Sequence, residues 1–161
     1  QGKIRSLSNQ RSANTHVPRS SEHMSFELLI FDPSLVDYQN REEFVEWYLE
    51  VSEWDDPSFD YGNHEVLSPR LSIWFSGIIE THPPLNGPFA PSNVDEAKAD
   101  YTFTREAIYV SFDFDEAQAF SESVSLASSN DLGVFYVISP FGEVFVPDEK
   151  GIMRLIHREP I

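Results

Sequence analysis

Short apolar runs of two different periods alternate along this chain, and the alternation limits the folds open to it. The run Ser25–Phe31 is short, rich in aromatic and branched residues and followed by Pro33, which indicates a strand. Apolar residues then recur at helical spacing, with Asn40 at an N-cap position and Glu43 three residues later. The pattern therefore predicts a strand followed by a helix over 41–53.

The remaining runs predict a second helix, a hairpin, a third helix and a second hairpin. Ser68 followed by Pro69 is typical of a helix start, and the apolar stripe after it ends before Pro83. Alternating and helical spacings then predict, in order, strands over 101–104 and 107–114, a helix capped by Asp115 and ended by Asn130, and strands over 134–138 and 143–146.

This order of elements predicts an α+β fold. It corresponds to a ferredoxin-like split βαβ plan, with a helix pair in the first crossover and an added C-terminal strand. We expect an antiparallel sheet with the helices on one face. The other face would carry apolar residues, namely Leu29, Phe31, Tyr109, Phe135 and Phe145. Such a face is too apolar to stay bare, so we expect the tail 150–161 or a partner to cover it.

The tail itself fits two structures equally well. Lys150, Arg154 and Arg158 recur every four residues, which favours a basic helix packed on an acidic body. The turn-forming residues 148–151 favour a hairpin strand instead.

The first 23 residues differ in composition from the rest of the chain. They are polar and contain four of the 11 basic residues but one of the 27 acidic residues. Gln1-Gly2 resembles a protease-site remnant, 17–20 resembles a thrombin site, and His23-Met24 resembles a cloning junction. We expect a disordered leader from an expression vector over 1–23 and a single domain over 24–161, with a natural basic arm as the alternative.

The charge of the expected domain restricts its partners. Without the leader, seven basic residues remain against 26 acidic ones, a formal net charge of −19. Such a field repels nucleic acid and anionic membranes and accelerates encounter with a basic protein. The alternative is that the charge only keeps the protein soluble. Because no 18-residue apolar run and no signal-peptide layout occur, we expect a soluble cytoplasmic protein.

The sequence contains no catalytic or cofactor motif that we recognise. It has no cysteine, no Walker loop, no dinucleotide-binding glycine motif, no nucleophile elbow and no H-E-x-x-H motif. Asp56 and Asp60 partly match a calcium loop, but the ligand register fails. Asp113, Asp115 and Glu116 cluster at a predicted helix start, where carboxylates ordinarily stabilise the helix. We therefore expect a non-enzymatic protein without a cofactor or metal.

Three segments carry a resemblance. The start MSFELLIFDP, the pair Trp74-Phe75 and the segment PPLNGP over 83–88 resemble a family of small acidic bacterial proteins. The resemblance covers most of 24–146, and the family has no established activity. Some proteins of this size and charge resemble immunity proteins, which neutralise contact-delivered toxins. By that analogy, we expect a binding protein with a basic toxin as its partner.

The candidate contact residues lie in two regions. Trp54 beside Asp55 and Asp56 could form an exposed anchor for a partner, although its spacing also fits core packing. The prolines of Pro83–Pro88 stiffen a loop that either recognises a partner or only crosses the domain. The candidates for partner binding are Trp54, Asp55, Asp56, Asp60, Glu80, His82, Asn86, Asp100 and Tyr101.

Two other functions remain open. A small enzyme or ligand-binding domain would have a pocket between the Pro83–Pro88 loop and the helix pair. Its polar groups would be Glu80, His82, Asp100 and Tyr101, and they would have to converge on one cavity. The third possibility is a housekeeping interaction module.

Overall fold

A computed structural model describes residues 25–113, 118–138 and 141–160 of the protein. The leader expected over 1–23 and the acidic pair Asp115-Glu116 lie outside these ranges. The described chain forms, in order, β1 Ser25–Phe31, α1 Arg41–Val51, α2 Pro69–Ile78, β2 Ala99–Phe103, β3 Ala107–Asp113, α3 Ala119–Ser129, β4 Gly133–Ile138, β5 Phe141–Pro147 and β6 Met153–Pro160. These elements confirm the α+β class.

The strands form one antiparallel sheet with the order β2-β3-β1-β4-β5-β6. β1 lies in the interior of the sheet, and its last four residues, Leu28–Phe31, are buried. The chain continues after β4 into two strands. The tail is thus a strand paired with β5 at the sheet edge, and the helical alternative for it is wrong.

The helices lie on both faces of the sheet, so the expectation that they share one face is wrong. α2 and α3 pack on the face that carries Leu28 and Ile30. α1 packs on the face that carries Leu29 and Phe31. Because successive strand residues point to opposite faces, the apolar stretch Leu28–Phe31 of β1 supplies two cores and needs a cover on each side.

We predicted that the tail or a partner would cover the sheet face that carries Leu29 and Phe31. That face instead forms a second core beneath α1. Phe44 lies 5.1 Å from Phe31 and 5.2 Å from Phe135 between ring centroids, and Tyr48 lies 4.7 Å from Phe135. Phe145 was also predicted to lie on this face, but it packs with the core beneath α2 and α3. Its neighbours on β5, Val144 and Val146, pack with the core beneath α1.

Helix α1 begins as the sequence predicts. The Asn40 side chain accepts a hydrogen bond from the Glu43 backbone N–H at 3.1 Å, so the expected N-cap is confirmed. Ser68 occupies the N-cap position of α2, but its side chain makes no capping bond. Its hydroxyl donates to Asp32 Oδ2 at 2.9 Å instead, which ties the end of β1 to the start of α2.

Candidate functional site

A row of glutamates on α1 forms one wall of an open groove. Glu43, Glu46 and Glu50 are exposed and recur at helical spacing, on a different side of the helix from the buried Phe44 and Tyr48. The groove has a volume of about 960 Å³. We name this feature the acidic groove.

The acidic groove is bounded opposite α1 by the loop 55–61 and closed by the β2–β3 turn. Six carboxylates line it, from Glu43, Glu46, Glu50, Asp55, Asp56 and Glu106. The guanidinium of Arg105 is the one Lys or Arg side chain among its described lining residues. The groove therefore presents an excess of negative charge to whatever enters it.

Aromatic rings interrupt the carboxylates along the groove. Trp47, Phe59 and Tyr61 all line it, and the rings of Phe59 and Tyr61 lie 4.8 Å apart. Trp47 is anchored to the core, with its ring 5.4 Å from Phe44 and 6.3 Å from Phe31. The electron-rich faces of such rings attract cations, as the carboxylates do.

Hydrogen bonds fix the loop that faces α1. Asp56 Oδ1 accepts from the backbone N–H and the hydroxyl of Ser58 at 2.9 and 2.7 Å. Tyr61 accepts from the Asp56 backbone N–H at 3.1 Å through its hydroxyl, and from the Phe103 backbone N–H at 2.8 Å through its carbonyl. The groove wall is therefore shaped before any partner arrives.

The pKa values of two lining carboxyls reflect this arrangement. The hydrogen bonds from Ser58 lower the pKa of Asp56, which keeps its carboxylate charged. A hydrogen bond to Asp37 and repulsion from Asp37 and Glu46 raise the pKa of Glu43. Like charges thus lie close together at the start of α1.

Trp54 directly precedes the loop 55–61 that lines the acidic groove. Its backbone adopts a left-handed φ of 51°, and its ring lies 5.5 Å from both Tyr61 and Tyr109. The side chain is half-buried and packs against the core beneath α1, as the core-packing interpretation predicts. Its neighbours Asp55 and Asp56 are exposed in the groove, and their role toward a partner stays a prediction.

Four other candidates surround a smaller cavity beneath the Pro83–Pro88 loop, which we name the loop cavity. It measures about 200 Å³, and Asp60, Asn86, Asp100 and Tyr101 line it. Burial raises the pKa of Tyr101, whose hydroxyl donates to the backbone carbonyl of His82 at 2.8 Å.

Glu80 and His82 do not line the loop cavity. Glu80 is exposed, whereas the buried His82 ring lies 5.3 Å from Phe112. His82 Nδ1 lies 2.9 Å from the Thr81 hydroxyl and 3.6 Å from the Glu122 carboxylate on α3. The four polar groups of the ligand-binding hypothesis therefore do not converge on one cavity.

Sequence reasoning missed most of the acidic groove. The sequence pattern predicts a capping position for Glu43, and Glu46, Glu50 and Glu106 are not among the predicted contact residues. The spacing of three glutamates on one side of a predicted helix was a usable signal. The loop that completes the groove has no periodic pattern, so its position opposite α1 had no signal in the sequence.

Within 25–113, 118–138 and 141–160, no group of three His, Asp or Glu residues lies close enough to hold a metal ion. In the same ranges, no helix combines the length and apolar character needed to cross a lipid bilayer. Comparison with protein-family models, with curated proteins and with solved structures gave no match.

Proposed function

We propose that this chain is a non-enzymatic binding protein that receives a basic protein partner in the acidic groove. The observation that carries the proposal is the composition of that groove, whose described lining residues include six Asp or Glu, three aromatic residues and one Arg. Carboxylates form ion pairs with Arg and Lys side chains, and aromatic rings stack on the same cationic side chains. The negative field of the whole chain adds long-range attraction for the same partner.

The class of partner follows from the resemblance and the charge together. We infer a toxin or effector with a basic surface, neutralised in the manner of an immunity protein. A bacterial origin and a cytoplasmic location belong to the same proposal. So does the ferredoxin-like topology, which the neighbour order β2-β3-β1-β4 and the packing of α2 and α3 on one face of the sheet support.

The proposal is tested by capture with charge variants. A groove variant carries Glu43→Gln, Glu46→Gln and Glu50→Gln. A control variant carries Glu42→Gln, Asp95→Asn and Glu96→Gln, which are exposed residues outside the groove lining. Both variants lose three negative charges, so overall charge is matched.

Wild type, groove variant and control variant are immobilised and exposed to lysate of the source cells. We expect a basic protein that wild type and control retain and that the groove variant loses. Expression of that protein alone should arrest growth, and co-expression of the chain should restore growth. A partner retained equally by all three forms would refute the role of the groove, and a harmless partner would refute toxin neutralisation.

A further inference from the structure

The loop cavity is walled mainly by aromatic rings. Phe75 is one of the lining residues, and its ring centroid lies 5.9 Å from that of Phe89, 5.3 Å from that of Tyr101 and 4.9 Å from that of Phe103. The His64 ring adds a further wall, 4.9 Å from Phe89. Several π systems thus enclose one small volume.

Two carboxylates line the same volume. Asp60 and Asp100 are lining residues, and no Lys or Arg is among the described residues that line the cavity. Asp60 is held in place by the Gly62 backbone N–H, which donates to its Oδ1 at 3.0 Å. The cavity therefore combines apolar walls with negative charge, a combination that suits neither a neutral apolar ligand nor an inorganic cation that needs a shell of oxygen ligands.

Aromatic walls with nearby carboxylates are the chemistry that recognises an organic cation. We propose that the loop cavity binds an alkylated ammonium group, with the rings against its methyl groups and Asp60 compensating its charge. The volume of about 200 Å³ is large enough for a trimethylammonium group and its adjoining carbons. This ligand site is distinct from the acidic groove and does not depend on the proposed function.

The entrance lies on the side of the Pro83–Pro88 loop. Phe89 is 46% exposed, and Asn86 and Gly87 are exposed beside it. The deeper rings of Phe75, Tyr101 and Phe103 are buried in the core. Phe89 is accordingly the wall that a substitution can remove with least effect on folding.

The test compares choline with its neutral isostere 3,3-dimethyl-1-butanol by calorimetric titration and ligand-detected NMR. We expect choline to bind with a millimolar Kd and the isostere at least fivefold more weakly. Phe89→Ala and Asp60→Asn should each weaken choline binding at least fivefold. Val94→Ala, which alters a 65% exposed residue that does not line the cavity, should leave binding unchanged.

Two further titrations distinguish the sources of the cation. A peptide with a trimethyl-lysine and the same peptide with unmodified lysine are compared with free choline. Tighter binding of the trimethylated peptide supports the site and assigns a methylated protein side chain, whereas tighter binding of choline supports it and assigns a small free molecule. Absence of binding by both cations, equal binding of the neutral isostere, or unchanged binding in a folded Phe89→Ala variant would overturn the proposal.

Discussion

Replacement of Asp32 by Ala tests how the first strand is joined to the second helix. The Asp32 carboxylate is 3% exposed and accepts hydrogen bonds from the Ser34 N–H at 3.0 Å, the Ser34 hydroxyl at 2.6 Å and the Ser68 hydroxyl at 2.9 Å. The Arg70 guanidinium approaches it at 3.9 Å. Asp32→Ala removes the common acceptor of all these groups.

The expected cost follows from these contacts. Hydrogen bonds to a charged group contribute about 1.5–3 kcal/mol each, but removal of the carboxylate also removes the cost of burying it. Since Ser34 is exposed and water can replace its bond, we expect a net loss of about 2–4 kcal/mol in the free energy of unfolding. For a domain of this size the Tm should fall by roughly 6–15 °C.

The pH dependence adds a second readout. Burial alone would raise the pKa of Asp32, but the hydrogen bonds from Ser34 and Ser68 and the Arg70 charge outweigh it and lower the pKa below its ordinary value. A lowered folded-state pKa means that the contribution is complete above the unfolded-state pKa of about 4 and is lost as pH falls through the folded-state pKa. The gap between wild type and Asp32→Ala should therefore be widest near neutral pH and narrow in acid.

The assay is urea unfolding followed by tryptophan fluorescence, with Asp95→Ala as an exposed control that should change stability by less than about 0.5 kcal/mol. If Asp32→Ala is no more destabilising than the control at pH 7, the reasoning about this junction is wrong.

Three further substitutions probe the packing. In Gly133→Ala the added Cβ would lie 2.2 Å from Cζ of the buried Phe31, so urea unfolding should show a loss of about 1–3 kcal/mol, and an unchanged midpoint would contradict the close approach. In Tyr48→Phe the deleted hydroxyl is buried and has no hydrogen-bond partner among the described residues, so stability should stay equal or rise by up to about 1 kcal/mol in the same assay. Gly87 has a φ of 92°, so Gly87→Ala should lower the free energy of unfolding by about 1 kcal/mol, and no loss in thermal unfolding would argue against this turn.

The elements of the fold were predictable because their signals are local. The short aromatic and branched run Ser25–Phe31 and the Asn40 cap with Glu43 depend on residues a few positions apart, and the structure confirms both elements. The tail was ambiguous because a basic four-residue repeat and a turn signal compete, and pairing with β5 decides in favour of the strand.

Local sequence patterns could not predict which face of the sheet each helix covers. Both faces of β1 are apolar, so the pattern does not say which face each helix covers. The link from Asp32 to Ser68 joins residues distant in the chain, and it displaces the hydroxyl from the local capping role that the sequence predicts. Tertiary contact here overrides a local preference.

In the candidate site too, local features were predictable and contacts between distant segments were not. Asp55 and Asp56 were predicted as contact residues from their position beside Trp54, whereas Glu106 lines the same groove only because the β2–β3 turn closes it. Asp100 and Tyr101 lie in the loop cavity, and His82 does not because its ring packs against Phe112 and α3. Which polar residues converge depends on packing that no spacing in the chain encodes.

The central claim is that the local acidic groove, rather than the net charge of the chain, selects a basic partner. The most direct measurement is calorimetric titration of an arginine-rich hexapeptide, at about 150 mM salt, into wild type, the groove variant and the charge-matched control variant. Because exposed ion pairs contribute about 0.2–1 kcal/mol each, loss of three groove carboxylates should weaken binding roughly tenfold. The control variant should weaken it less than about threefold, since its charges lie outside the groove. Equal weakening in the two variants would show that the charge acts only as a diffuse field, and would contradict the account.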